Sequence, residues 1–338
     1  MKVLILRFSS IGDIVLTTPV IRNLKTAPRI TEVHYATKQE YEPLLTENPY
    51  IDQLHLLDPN EPLLRFTKRL RQEKYDLIVD LHANLRTSLI KLLVHGKTRT
   101  VQKLNVKKWL LTNFKINLLP NVHIVDRYMD TLASLDIMQD ELGLDYFIPE
   151  KDEVELDWLP EGYQQGYAVV AIGGKYQTKR LPKDRLIELC DRINKPIVLI
   201  GGKEDADVGQ QAEAFFKGYD HPTIYDKGLE ELGKKAVVFN ACGKFNINQS
   251  ASLVKQASWV FSHDTGMMHI AAAFKKDVFT IWGSTVPEFG MYPYRTKFTI
   301  FENKNLNCRP CSKLGYGKCP KGHFKCMKDL KFDFYIPD

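Results

Sequence analysis

The sequence predicts an α/β protein of two doubly wound, Rossmann-like units facing each other across a cleft. Three observations predict it. Short β-rich runs alternate with helical patterns along most of the chain, the pattern of a parallel sheet covered on both faces. The alternation breaks at an acidic stretch punctuated by Pro and Gly, Pro149–Gly166, and then restarts. At 338 residues the chain exceeds the size at which one hydrophobic core stops growing, so two domains are expected.

Each element follows from its residues. The opening strand is Lys2–Phe8, and Glu32–Ala36, Gln53–Leu57 and Leu77–Leu81 are the next apolar, β-rich runs, with a helix over Leu63–Gln72 among the intervening helical patterns. After the linker the strands are Tyr167–Ile172, Pro196–Ile200, Ala236–Phe239, Trp259–Ser262 and Val278–Trp282. The expected division is 1–158, 159–306 and a cysteine-rich C-terminal segment, 307–338. In such sheets ligands bind outside the carboxyl ends of the strands, and two strand-to-helix turns at those ends stand out, SSIGD at Ser9–Asp13 and SHDTGMMHIAAAF at Ser262–Phe274.

With 44% hydrophobic and 26% charged residues, the composition is that of a soluble globular protein. No apolar run approaches the roughly 18 residues of a membrane span. The start, MKVLILRF, leads straight into SSIGD without a small-residue cleavage pattern, so a cytoplasmic protein is expected. The net charge of +6 is unevenly placed: Arg86, Lys91, Lys97, Arg99, Lys103, Lys107, Lys108, Lys115 and Arg127 occur with only Asp126 against them. Such a face is either a solvated surface or the footprint of an anionic partner: a phosphorylated glycolipid, an anionic membrane surface or nucleic acid. Trp109, Leu110, Leu111 and Phe114 interleave with the lysines and favour a lipid-bearing surface.

The first turn has one glycine, Gly12, where a dinucleotide-binding loop would show GxGxxG, which argues against a nicotinamide oxidoreductase. Asp13 lies beside it, with Ser10 in the same loop. Thr18–Pro19 would cap and start the following helix. Near the positive peptide dipoles Asp13 stays ionised, and it serves either as a helix cap or as a base that takes a proton from a hydroxyl nucleophile. In the second unit GGKYQTKRLP, Gly173–Pro182, places Lys175, Lys179 and Arg180 beside a flexible turn, cations suited to a diphosphate. IGGKEDAD, Ile200–Asp207, puts Glu204 and Asp205 just past a strand, either to accept ribose hydroxyls or to cap a helix. The turn Asp264, Thr265 and Gly266 opens a helix whose first N–H groups, at Thr265, Gly266 and Met267, suit phosphate oxygens. His269 either faces those phosphates or is a core residue of an Ala-rich helix; Met267 and Met268 have the character of packing residues.

Together, ILRFSSIGDIVLTTPVIRNLK, DLIVDLHANLRTSLI, HIVDRYMDTLASLDI, LVKQASWVFSHDTGMMHIAAAF and IWGSTVPE resemble glycosyltransferase family nine, the ADP-heptose lipopolysaccharide heptosyltransferases, over nearly the whole chain. The resemblance implies a GT-B fold with an acceptor-binding N-terminal domain and a donor-binding C-terminal domain. It implies inverting, metal-independent transfer of a heptose from a nucleotide-diphosphate sugar to a lipopolysaccharide core acceptor. The roles it implies are Asp13 as general base, Lys179 and the Asp264–Gly266 turn on the diphosphate, and Glu204 or Asp205 on the ribose. An anionic glycolipid partner and peripheral contact with the cytoplasmic membrane face follow, and no nucleic acid is expected. The chain departs from the family pattern at Leu181, where Trp often precedes the Pro, at His263, where Asn is usual, and at Met267, where Pro or Leu is common. None of these removes a charge the mechanism requires.

No cofactor is expected for catalysis. Cys308, Cys311, Cys319 and Cys326, with His323, crowd the C-terminal segment; in a reducing compartment they are either a structural zinc site or packed thiols. Cys190 and Cys242 stand apart as core residues. Two rivals to the transferase are a nucleotide-sugar epimerase, which would turn over donor without acceptor, and a non-catalytic nucleotide- or glycolipid-binding protein, which would not need Asp13.

Overall fold

The computed structural model describes residues 1–217 and 236–336. Two wholly parallel sheets form among them. The first holds β1 (Lys2–Leu6), β2 (Glu32–Lys38), β3 (Gln53–Leu57), β4 (Leu77–Asp80) and β5 (Lys97–Thr100) in the order β3-β2-β1-β4-β5. The second holds β6 (Ala168–Ala171), β7 (Ile197–Ile200), β8 (Val238–Asn240), β9 (Trp259–His263), β10 (Val278–Trp282) and β11 (Phe298–Glu302) in the order β11-β10-β9-β6-β7-β8. Both windings start at a central strand and reverse direction, so each sheet has a switch point, between β1 and β4 and between β6 and β9. These two doubly wound units are the predicted fold class.

The central strands are buried along nearly their whole length, from KVLIL in β1 to LIVD in β4 and AVVA in β6. Covered on both faces, they read as continuous apolar runs without alternation, which is why they were legible. Two edge strands were not anticipated. β5 is KTRT with every residue exposed; a charged edge guards against strand addition, but it leaves no apolar signal. β11 carries the opposite edge of the second sheet.

Among the described residues the helices of the first unit are α1 (Ile11–Val15), α2 (Thr18–Thr26), α3 (Leu63–Gln72), α4 (Leu85–Val94), α5 (Asn105–Phe114) and α6 (Ile124–Met129). The second unit carries α7 (Lys183–Ile193), α8 (Ala206–Lys217), α9 (Ile247–Gln256), α10 (Gly266–Ala273) and α11 (Lys325–Lys328). Pro149–Gly166 runs between the sheets as a string of short 3-10 turns. The cap of α2 is Thr17 and not Thr18, with Pro19 in the first turn. Asp13 therefore lies in a helix of its own, α1, and not in a loop ahead of α2.

Each sheet has an apolar cluster on either face, and one of the first unit's continues into the second: Ile14, Val15 and Tyr128 pack in the same cluster as Ala251, Ile270, Ala272 and Tyr294. The C-terminal segment belongs to the second unit's core, where Cys326, Met327, Leu330 and Phe332 are buried. Arg309 is buried there as well, paired with Glu302 at 3.1 Å and donating to the carbonyls of Gly283 and Thr285 at 2.6 and 2.9 Å. No helix among the described residues is long and apolar enough to cross a membrane.

Candidate active site

Asp13 sits past the carboxyl end of β1, at the first switch point. One carboxylate oxygen pairs with Arg7 Nη2 at 2.7 Å; the other accepts the Ser10 hydroxyl at 2.8 Å and the Ser10 N–H at 3.2 Å. Its side chain remains 23% exposed. Burial opposes its charge, but the Arg7 guanidinium and the Ser10 hydrogen bonds outweigh that and hold the carboxyl below the usual range. Arg7 is itself nearly buried and fixed by the Leu81 and Ser9 carbonyls and the Tyr128 hydroxyl at 2.5, 2.7 and 3.0 Å.

The second turn lies directly opposite. A side-chain carbon added to Gly12 would stand 2.6 Å from His269 Cδ2 and 3.3 Å from Gly266 Cα; one added to Gly266 would stand 2.6 Å from Ile11 Cγ2 and 3.2 Å from the Gly12 nitrogen. Two glycines thus let α1 of one unit and the N-terminus of α10 of the other meet in van der Waals contact. Gly12 therefore packs against the second unit and not toward open solvent. His269 is buried, burial pushes it down to about 4, and among the described residues its Nδ1 has no hydrogen-bond partner. Met268 is buried in the second core, while Met267 lies between the units.

Asp264 is engaged by a cation and a hydroxyl of its own unit. Its Oδ2 accepts from Lys179 Nζ at 2.6 Å and from the Thr285 hydroxyl at 2.7 Å, and Lys179 also donates to the Asp264 carbonyl at 3.1 Å. The acid therefore positions the cation at the N-terminus of α10, where Thr265 is the N-cap residue. Beside it, Arg180 reaches Asp205 Oδ1 at 2.8 Å and donates to the Gly174 carbonyl at 2.5 Å. The two acids past β7 separate clearly. Asp205 is buried, uses Oδ2 to accept the Gly202 N–H at 2.9 Å, and lies under Gly173 and Gly201; Glu204 is exposed, with Arg180 Nη2 3.9 Å away. Of the pair, Glu204 is the carboxylate open to a ligand.

Two lysines of the first unit lose part of their charge preference to burial. Burial, then Arg127, Lys313 and Lys103, push the Lys108 ammonium down to about 8, with Asp13 acting in the opposite sense. Lys103 is lowered by burial and Arg7 and, less, by Lys313, with Asp80 and Asp13 acting in the opposite sense. Lys108 stands over the Phe289 ring, 5.8 Å from its centre.

The sequence model of glycosyltransferase family 9 (heptosyltransferase) matches residues 63–317. The chain belongs to glycosyltransferase family 9. Lipopolysaccharide heptosyltransferase 1 of Campylobacter coli is 23% identical over 91% of this chain and 89% of its own length. Among solved structures, the family 9 glycosyltransferase of Veillonella parvula superposes with a TM-score of 0.66 at 22% identity, covering 88% of this chain and 85% of its own. The E. coli heptosyltransferase WaaC with ADP does so with a TM-score of 0.63 at 20% identity, covering 89% and 93%. The protein is a glycosyltransferase with a GT-B fold.

Several residues of this family 9 site escaped sequence reading. Arg7 was hidden in an apolar strand, although a lone cation at a strand's carboxyl end is the signal that could have flagged it. Thr285 lies far in sequence from the turn whose Asp264 it holds. Cys308 Sγ lies 3.8 Å from His323 Nε2, and Cys311 Sγ donates to the Cys308 carbonyl at 3.3 Å. Cys319 is half-buried, and burial pushes the Cys326 thiol up to about 12. Among the described residues, no three His, Cys, Asp or Glu side chains are placed together to hold a metal. Cys190 and Cys242 are buried, as anticipated.

Proposed function

We propose that this family 9 enzyme transfers a heptose from ADP-heptose to a lipopolysaccharide core acceptor by a single inverting displacement, with the first unit binding acceptor and the second binding donor. The observation that carries the reading is the contact between the Asp13 turn and the Asp264–His269 turn. Asp13, the proposed general base, takes the proton of an acceptor hydroxyl as that oxygen attacks the anomeric carbon from the face opposite the nucleotide. Negative charge then builds on the departing diphosphate. Lys179, Arg180 and the amides at the start of α10 stabilise it, the preorganised electrostatics that commonly supplies the largest share of catalysis. Lys179 is already aimed by Asp264, so little reorganisation accompanies charge development. Glu204 contacts the ribose. The names of the relatives support the heptose, the donor nucleotide and the lipopolysaccharide acceptor.

The same reading places the first unit at the inner face of the cytoplasmic membrane. Exposed Trp109, Phe114, Ile116 and Leu118 beside Lys107 and Lys115 support it. No metal takes part in the transfer. The tail thiols are of the donor type structural zinc takes, and stoichiometric zinc in purified protein supports that site, whereas protein that folds and turns over without it rejects it. The deciding experiment incubates the protein with candidate nucleotide sugars, with and without deacylated lipopolysaccharide core, and follows nucleotide release and glycan mass by mass spectrometry. Acceptor-dependent release of ADP with a heptose mass increment is expected. Donor turnover without acceptor would replace the transferase with an epimerase or hydrolase.

A further inference from the structure

The short 3-10 turn that carries Lys179, Gln177–Lys179, is fastened to the C-terminal segment through Thr178. Thr178 is buried. Its hydroxyl donates to the Tyr316 carbonyl at 3.1 Å and accepts the Tyr316 N–H at 2.8 Å and the Ser284 hydroxyl at 2.9 Å, which uses the one donor and both acceptor positions a hydroxyl has. The Thr178 N–H also donates to the Tyr316 carbonyl at 3.1 Å, and the Thr178 carbonyl accepts the Ser284 N–H at 3.3 Å. Every polar group of Thr178 is thus held, by the tail on one side and by the residues after β10 on the other. The packing is as close: a side-chain carbon added to Gly315 would stand 2.7 Å from Tyr176 Cβ, and one added to Gly283 would stand 2.6 Å from the Thr178 carbonyl. A second route runs from the tail to the other end of the lysine. Arg309 donates to the Thr285 carbonyl at 2.9 Å, and the Thr285 hydroxyl donates at 2.7 Å to Asp264 Oδ2, the oxygen that also accepts Lys179 Nζ at 2.6 Å.

A 3-10 turn of three residues is weakly held by its own hydrogen bonds, and a lysine side chain has much rotamer freedom to lose. Fixing its ammonium at one place therefore requires both a fixed backbone and a fixed partner for the head. The tail supplies the first directly and the second through Thr285. We propose that Thr178 is a positioning residue of the donor side: by locking its turn to Tyr316 it sets where Lys179 stands, and it makes the C-terminal segment part of the donor site without a tail side chain touching the donor. This rests on the reading of Lys179 as a ligand of the diphosphate. A cation placed in advance strengthens binding of the charged group because little freedom remains to be lost when the ligand arrives.

A double-mutant cycle read by calorimetric titration of the full chain with ADP tests this. Thr178→Val keeps the shape and the N–H bond but removes the hydroxyl and its three partners, whereas Thr178→Ser keeps the hydroxyl. Thr178→Val is expected to weaken ADP binding about 10-fold and Thr178→Ser to stay within about 2-fold of the wild-type protein. With Lys179 already replaced by Ala, Thr178→Val should cause no further loss, because its effect passes through the lysine. An equal loss with and without Lys179 would leave Thr178 a purely structural residue and overturn the proposal. Wild-type affinity in Thr178→Val beside a weakened Lys179→Ala would overturn it too, while leaving the lysine on the diphosphate. Wild-type affinity in Lys179→Ala would remove the diphosphate reading itself, and the proposal with it. If Thr178→Val loses cooperative thermal unfolding, Ser284→Ala, which removes one of the three partners, takes its place. Its expected loss is about 3-fold, present only with Lys179 in place; a loss that does not depend on the lysine, or none, would overturn the proposal.

Discussion

Asp13 carries its charge between opposed influences, burial that resists it and the Arg7 guanidinium that secures it. A carboxylate so held is a weak base that is always ready. Its folded pKa is lowered, so the ion pair contributes stability above the ordinary carboxylate value, and that stability is lost as pH falls through the folded value. By the same sign, the acid limb of kcat/KM should lie below about pH 4, and a limb near pH 6 would exclude Asp13 as the base. Asp13→Asn should lower kcat by roughly 10²- to 10⁴-fold with donor affinity little changed. Because the variant leaves Arg7 without its partner, thermal unfolding should also show a loss on the order of 1–3 kcal/mol. Lys179→Ala should weaken ADP binding about 10-fold or more by calorimetry; unchanged affinity would take the lysine off the diphosphate. Lys108, facing Lys103, Arg127, Lys313, Asp13 and the Phe289 ring, is charged below about pH 8 and neutral above it. Acceptor affinity should therefore fall as pH rises through about 8, while donor affinity stays level.

Two short helices from different units decide the geometry at the next scale. α1 and α10 meet through Gly12 and Gly266, and neither position has room for a side chain. Gly266→Ala forces its methyl group onto Ile11 and the Gly12 backbone, so the turns must part. Overpacking of this kind costs about 1–3 kcal/mol, and kcat should drop more than donor affinity, because both turns survive while their spacing does not. Wild-type kcat in Gly266→Ala would show that the contact is incidental. The elements themselves were unevenly legible. α3 falls on its predicted bounds because its apolar residues keep a helical period, and the doubly covered strands announce themselves by composition. The polar edge strand β5 did not, since nothing is buried on either face.

At the scale of the molecule, the two units share a core through Ile14, Ile270 and Tyr294, and the C-terminal segment bridges them through Lys115 on one side and Thr178 on the other. The sequence by itself determined the two parallel windings, the position of both turns and the family, because apolar runs, glycines and turn acids are local signals read a few residues at a time. It also placed Asp13, Lys179 and the α10 turn among the candidates. Only the tertiary structure decided that Arg7 holds Asp13, that Asp264 serves Lys179, and that Asp205 is occupied where Glu204 is open. Each of these depends on charges brought together from distant parts of the chain, and such encounters are fixed by how the units pack.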